Sequence, residues 1–397
     1  MKYIMLIGDG MADRKIASKG GKTPLQLANI PNINKLAKEG QCGMVKTLVP
    51  NLPKGSDVAI MSLLGCDPKK FYTGRGPLEA LNLGINLKTK EIAFRCNLVT
   101  VSEGKLIDYS GGHISSKEAK GLIDELQKKV GSQHFSFYPG LSYRNIMVAR
   151  KNSGIILDNL ETRPPHDIIG ASIEENLPQG KSSAILKRLM ERSYEILKGH
   201  PINIRRQRKN ENPANMIWLW GEGEKPNIPS FYEKYGKKGA VISAVDIVKG
   251  IGKALGMESI SVKGATGFLD TNYRGKVNAA IRAIKTKNFV FVHLEAPDEA
   301  SHLGDLNLKI KAIELFDKKI VGPILKYASK GKDKYKILVG CDHATPIIIK
   351  THTDEAVPFL IWGGKKDGCA SYNETTSSSS LLYFEEGYKL MEYFLKQ

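Results

Sequence analysis

Four short, almost uninterruptedly apolar runs constrain this chain more than any other feature: residues 3–7, 289–294, 337–339 and 359–362, bounded by Gly, Pro or Asp. Runs of this length read as strands covered on both faces, and the helical spacing between them points to parallel βα units. The predicted class is therefore α/β, a mostly parallel sheet flanked by helices. One run opens the chain and three lie in its last third. If they share a sheet, the domain they build is discontinuous, residues 1–76 and 223–397. From 77 to 222 the texture changes to looser strands (93–101, 146–149, 216–220) and Pro-rich turns. This stretch reads as a smaller α/β domain inserted into the first.

At 397 residues the chain has room for two or three domains of about 100–200 residues each. Its apolar runs all fall short of the ~20 residues of a membrane span. The start MKYIMLIGDGM lacks the marks of a signal peptide, so no membrane partner is expected and the location is read as cytoplasmic. Five cysteines, an odd number without a C-x-x-C pair, fit free thiols in a reducing compartment. The net charge of +18 suits a nucleic acid, an anionic substrate or only a lysine-rich proteome. The densest basic run, Arg-Arg-Gln-Arg-Lys at 205–209, has no adjoining aromatic residues to stack bases, so no nucleic acid partner is expected. Nothing in the sequence fixes the oligomeric state, and a homo-oligomer is compatible with it. Ser115 and Glu118 stand at capping-box spacing ahead of a helix reaching about residue 130. Residues 377–380, four serines, read as a surface loop, and 382–395 as a closing helix.

Ligands of open α/β sheets gather outside the carboxyl ends of the strands, so the residues flanking each run matter most. Run 3–7 is followed by Gly8–Asp9–Gly10, run 289–294 by Asp298 and His302, and run 337–339 by Asp342 and His343; His352 precedes the run ending at 362. Singly, each is as readily a helix cap, a turn residue or a loop histidine. Together they are three carboxylates and three imidazoles delivered to one edge. Four of the eight histidines fall between 293 and 352. His293, inside a run, reads as a hydrogen-bonded core residue. Carboxylate and imidazole without cysteine suit Mn²⁺, Mg²⁺ or Zn²⁺. Six donors exceed what one catalytic ion needs, whereas two ions about 3.5–4 Å apart would clamp a transferring phosphoryl group. Ser56, between Gly55 and an apolar helical stretch, is either a helix cap or a nucleophile activated by such an ion.

These motifs (Gly8–Asp9–Gly10, Gly55–Ser56–Asp57, Pro297–Asp298-x-x-x-His302, Asp342–His343 and Thr351–His352–Thr353 before Val357–Pro358) resemble the alkaline phosphatase superfamily. More closely, the chain is similar to the archaeal-type 2,3-bisphosphoglycerate-independent phosphoglycerate mutases. The likeness runs over nearly the whole length, through GGKTPLQLANIPN, YTGRGPLEA, FRCNLVTV, YSGGHIS, FYPGLSYR, RPPHDI, GAVISAVDIVKGIG and GATGFLDTNY. It implies an alkaline-phosphatase-like domain with an insertion, two ions of the Mn²⁺ type with Mg²⁺ or Zn²⁺ as alternatives, no bisphosphoglycerate, and a small phosphoglycerate substrate. Carried over position by position, Ser56 is the phosphorylated nucleophile and a metal ligand. Asp9, Asp342 and His343 hold the ion that activates it, while Asp298, His302 and His352 hold the second ion, which receives the substrate phosphate. His113 resembles a substrate-binding histidine, or is a hydrogen-bonded loop residue. Arg144 and Lys276 are anion contacts by the same resemblance. His166 and Asp167 face the glycerate or merely order a turn after two prolines. Cys341 stands where the family leads one to expect a small or Pro-like residue, and it reads as a core residue rather than a soft ligand.

The implied reaction is isomerisation of 2-phosphoglycerate and 3-phosphoglycerate. Phosphate moves to Ser56, the glycerate turns within the site, and its other hydroxyl takes the phosphate back. A second domain that shuts water out distinguishes this from the alternative, a metal-dependent phosphatase or another phosphomutase on the same core.

Overall fold

The pairing of the first strand explains why it needs the last third of the chain. In the computed structural model, which describes every residue except Lys332 and Gln397, Lys2–Gly8 runs parallel between Phe289–Leu294 and Tyr335–Gly340. Gly8 stands opposite Leu294 and Ile7 opposite Gly340. The residues that follow, Asp9, Glu295 and Asp342, therefore emerge at one edge of the sheet. Val357–Trp362 is antiparallel to Tyr335–Gly340, with Phe359 opposite Gly340. Its beginning lies at that same edge, which is why His352 comes before its strand while the others come after theirs.

The complete sheet runs Tyr383–Phe384, Gln41–Val45, Val357–Trp362, Tyr335–Gly340, Lys2–Gly8, Phe289–Leu294, Gly239–Ile242, Glu258–Ile260. Five pairings are parallel and two antiparallel. Phe289–Leu294 and Tyr335–Gly340 are buried at every residue, as strands under helices must be. The helix Tyr273–Thr286 packs on Phe289–Leu294. This sheet belongs to a unit made of Met1–Tyr72 and Asn227–Gln397; Thr73–Pro226 form a second.

In the second unit Ile92–Ser102 is the central strand, antiparallel to Arg144–Ala149 on one side and Met216–Glu224 on the other. Phe135–Leu141 and Lys105–Asp108 complete an antiparallel sheet. The expectation of parallel βα units thus holds for the larger unit and not for this one. Antiparallel neighbours need only short connections, and a left-handed Ser142 (φ 56°) turns Phe135–Leu141 into Arg144–Ala149. Alternation along the central strand sends Phe94, Cys96 and Leu98 into a core with Leu122, Leu126, Leu186, Met190 and Trp218. Ala93, on the other face, packs with Ile146, Val148 and Ala80. Ser115 caps the helix Ser116–Lys129 by accepting Glu118 N–H, and its hydroxyl donates to Glu118 Oε2 at 2.8 Å. Within the basic run, Arg206 is buried; its Nη2 donates to the carbonyls of Gly111 and Gly112 at 3.0 Å.

Two C-terminal expectations change. The serine tetrad is not a loop throughout: Glu374–Ser378 is a short helix capped by Asn373, and Ser377 is buried. The closing helix is only Lys389–Lys396, because Tyr383–Phe384 pairs as an edge strand with Met44 and Val45. All five cysteines are free, four of them buried. Among the described residues no helix is long and apolar enough to cross a membrane.

Candidate metal centre and nucleophile

Gly8 ends the first strand, and the backbone turns at Gly10 (φ 59°). A side chain there would lie 2.4 Å from Asp298 Oδ1 and 2.6 Å from Thr345 Oγ1, so only glycine permits the carboxylates to draw together. Gly10 N–H and His343 N–H donate to Asp342 Oδ1 at 3.1 and 2.9 Å, which leaves Oδ2 turned inward. His343 Nε2 lies 3.4 Å from both Asp9 Oδ1 and Asp342 Oδ2. On its other side His302 Nε2 and His352 Nε2 lie 3.0 and 3.5 Å from Asp298 Oδ2 and 3.2 Å from each other. Five of the six expected donors fall into two adjoining groups, Asp9 with Asp342 and His343, and Asp298 with His352, which a ligand atom of His343 also reaches. The sixth, His302, stands beside the second group through its contacts with Asp298 and His352.

Ser56 is the first residue of the helix Ser56–Leu63, after Gly55. Its hydroxyl makes no cap bond; Oγ lies 3.1 Å from His343 Nε2. The capping alternative therefore fails on geometry, and the hydroxyl is directed at the carboxylate–imidazole cluster with the helix N-terminus behind it.

The imidazole tautomers follow from their outer partners. His302 Nδ1 donates to the Lys350 carbonyl at 2.9 Å and His352 Nδ1 to the Lys54 carbonyl at 2.8 Å. A carbonyl only accepts, so each Nδ1 carries a proton and Nε2 is the nitrogen that faces inward, where a cation would take its lone pair, the arrangement of metal-binding histidines.

Three carboxylates buried so close together repel. Burial, then the charges of Asp342 and Asp298, push the Asp9 carboxyl well above its ordinary range. Burial also works against an ionised Asp298, but hydrogen bonds with His302 and His352 hold it well below the usual carboxylate range. His302, although burial lowers it, is raised to about 9 by Asp298. Asp9 Oδ1, Asp342 Oδ2 and His293 Nε2 are buried with no hydrogen-bond partner among the described residues. Unsatisfied carboxylate oxygens and imidazole nitrogens converging in a buried cluster fit divalent cations. Two groups of donors fit two of them.

The other expected residues belong to the second unit or do other work. His113, in a left-handed conformation (φ 49°), and Arg144, at the start of its strand, belong to the second unit, as do His166 and Asp167 in a 3₁₀ turn. Lys276 departs from expectation. It is fully buried, its Nζ 2.6 Å from Glu295 Oε2 and 2.9 Å from the His293 carbonyl, so it cannot meet an anion in this conformation. Cys341 is buried, donates to the His343 carbonyl and belongs to neither group of donors.

The profile of a family described as 2,3-bisphosphoglycerate-independent phosphoglycerate mutase matches residues 37–203. The protein of that name from Methanosarcina barkeri is 50% identical over 385 residues, 96% of each chain. The chain belongs to this mutase family. A protein described as a probable mutase of the same kind in Geobacter sulfurreducens is 47% identical over the full length of both. Among solved structures, a Pyrococcus horikoshii protein is 30% identical with a TM-score of 0.82, covering 100% of this chain and 97% of its own. The cofactor-independent phosphoglycerate mutase of Thermoplasma acidophilum is 28% identical with a TM-score of 0.66, covering 100% and 99%. The chain has the alkaline-phosphatase-like α/β fold of these mutases.

In this mutase three further residues stand at the cluster that the sequence reading did not assign to it. His293 faces Asp9 Oδ2 at 3.4 Å, so it is more than a core residue. Lys309, fully buried, ties Asp13 to the backbone carbonyls of Ala12 and Thr345. Thr345 touches both His343 and Asp298. For Lys309 and Thr345 no motif exists in a single sequence; His293 was visible as a histidine within a strand ending at the site.

Proposed function

We propose that this chain interconverts 2-phosphoglycerate and 3-phosphoglycerate in the cytoplasm, through a phosphoserine at Ser56 and without bisphosphoglycerate. The observation that carries the proposal is the position of Ser56 Oγ: uncommitted to any cap, 3.1 Å from His343 Nε2, at the head of a buried helix. Asp9, Asp342 and His343, with Ser56, would hold one divalent ion; Asp298, His302 and His352 would hold the other, and Mn²⁺ suits this mixture of oxygen and imidazole. Such ions lower the proton affinity of a bound hydroxyl and offset charge on phosphoryl oxygens.

The chain's own residues do the rest. Ser56 Oγ gives up its proton and forms the bond to phosphorus as the ester bond to the glycerate oxygen breaks, and that oxygen takes up a proton. N–H groups at the start of Ser56–Leu63 face the phosphoryl oxygens. The glycerate turns, its second hydroxyl gives up its proton and forms the new bond to phosphorus as the Ser56 Oγ–P bond breaks, and Ser56 Oγ takes a proton back. His113 and Arg144 are the substrate-binding residues in this reading, Arg144 because a guanidinium fork matches a carboxylate or phosphate. Free cysteines support the cytoplasmic location.

The deciding measurement uses protein stripped with a chelator and reloaded with Mn²⁺. It should convert 3-phosphoglycerate to the 2-isomer without added bisphosphoglycerate or release of phosphate, and chelator should stop it. Phosphate release without isomerisation would mean a phosphatase.

A further inference from the structure

We propose that Thr345 is a positioning residue that joins the two ion sites, fixing the tautomer of His343 with one side of its hydroxyl and the free oxygen of Asp298 with the other. This rests on the two-ion reading above and deepens it.

Thr345 Oγ1 lies 2.6 Å from Asp298 Oδ1 and 3.2 Å from His343 Nδ1. A carboxylate can only accept, so the single hydroxyl proton is committed to Asp298. What remains toward His343 is an oxygen lone pair, and the hydrogen in that contact must come from Nδ1. His343 then presents its Nε2 lone pair toward Ser56 Oγ, Asp9 and Asp342. His302 and His352 likewise hold a proton on Nδ1, against backbone carbonyls, which are obligate acceptors. A hydroxyl is not; Thr345 is made into an acceptor only by Asp298. In the other direction the bond occupies Asp298 Oδ1 and leaves Oδ2 to the group formed with His302 and His352.

The bridge is built rather than incidental. Thr345 is fully buried, its N–H donates to the Ala12 carbonyl at 3.2 Å, and its own carbonyl accepts Lys309 Nζ at 2.9 Å. A Cβ on Gly10 would come within 2.6 Å of the hydroxyl and 2.4 Å of Asp298 Oδ1, so there is no room for water to replace the contact. Loss of the hydroxyl should therefore weaken both ions, although neither is expected to touch it.

The test compares the wild-type chain with Thr345→Val, which keeps the shape, and Thr345→Ser, which keeps the hydroxyl. Mn²⁺ binding is titrated without substrate, and ¹⁵N chemical shifts of the His343 ring are read in the wild type. Outer partners of metal-binding histidines are worth about 10–100-fold in affinity. T345V should weaken both Mn²⁺ ions by about that factor, T345S should bind like wild type, and the His343 proton should reside on Nδ1. Unchanged binding in T345V, weakening confined to one ion, or a proton on Nε2 would each overturn the assignment. If T345V does not fold, the wild-type tautomer and T345S still decide. Since none of these readouts involves turnover, a failure here is distinguishable from failure of the wild-type chain to isomerise phosphoglycerate.

Discussion

Lys276 and Glu295 carry opposite charges out of water together, 2.6 Å apart with both side chains almost wholly buried. Removing one partner from such a pair strands the other. Lys276→Met should therefore destabilise the protein by about 3–5 kcal/mol in urea unfolding; a lysine serving only to meet an anion would leave stability alone and raise KM. Helical spacing already carried this information: Lys276 shares the buried side of Tyr273–Thr286 with Ala279, Ala280 and Ala283. Ser56 gives the opposite pattern. Its hydroxyl supports no cap, so Ser56→Ala should change stability by less than about 0.5 kcal/mol while lowering isomerisation more than about 10³-fold. Retained turnover in a coupled assay would remove Ser56 from the reaction. Asp9, Asp298 and Asp342 were legible because each follows an apolar run. The partners that orient them were not, since which loops meet across the sheet edge depends on pairings between strands hundreds of residues apart.

Among the elements, the turn that carries His113 is organised by one carboxylate. Asp108 Oδ1 accepts Ser110 N–H at 2.7 Å and its hydroxyl at 2.6 Å, while Oδ2 accepts Gly112 N–H at 2.9 Å and Asn212 Nδ2 at 3.1 Å. Partial burial pushes this carboxyl up, but the Ser110 bonds outweigh it and the net shift is downward. A depressed carboxyl contributes stability that is present above its unfolded value and lost as pH falls through the folded one. Asp108→Asn should cost about 1–2 kcal/mol near neutrality, and the difference from wild type should fade as pH drops below about 3.9. Urea unfolding of both proteins from neutral to acid pH checks this; a difference independent of pH would show that charge is not the cause. The turn itself could be read from Gly-Gly-His, but the strands around it could be read only in part. Those buried on both faces, such as Phe289–Leu294, announce themselves. Lys105–Asp108 and Phe135–Leu141, with polar, Gly or Pro positions, acquire their strand character from their neighbours.

At the scale of the whole molecule, the interruption of one fold by another raises the question of what each part needs from the other to fold. The larger unit has to bring its first strand beside strands some three hundred residues later, a loop closure of high sequence separation. The second unit is local by comparison. All its strand pairings are internal, its core of Phe94, Leu122, Met190 and Trp218 is contributed entirely by its own elements, and its two ends are adjacent, with Thr73 Oγ1 donating to the Glu224 carbonyl at 2.7 Å. A chain with its own core and neighbouring termini meets the requirements of an independent domain. Residues 73–226 expressed alone should unfold in a single cooperative urea transition with an m-value of about 1–3 kcal/mol/M. Trp218 and Trp220, both buried here, supply the fluorescence signal without interference, since the third tryptophan, Trp362, lies in the other unit. A broad transition with dye-binding apolar surface would mean that the second unit takes its order from the first.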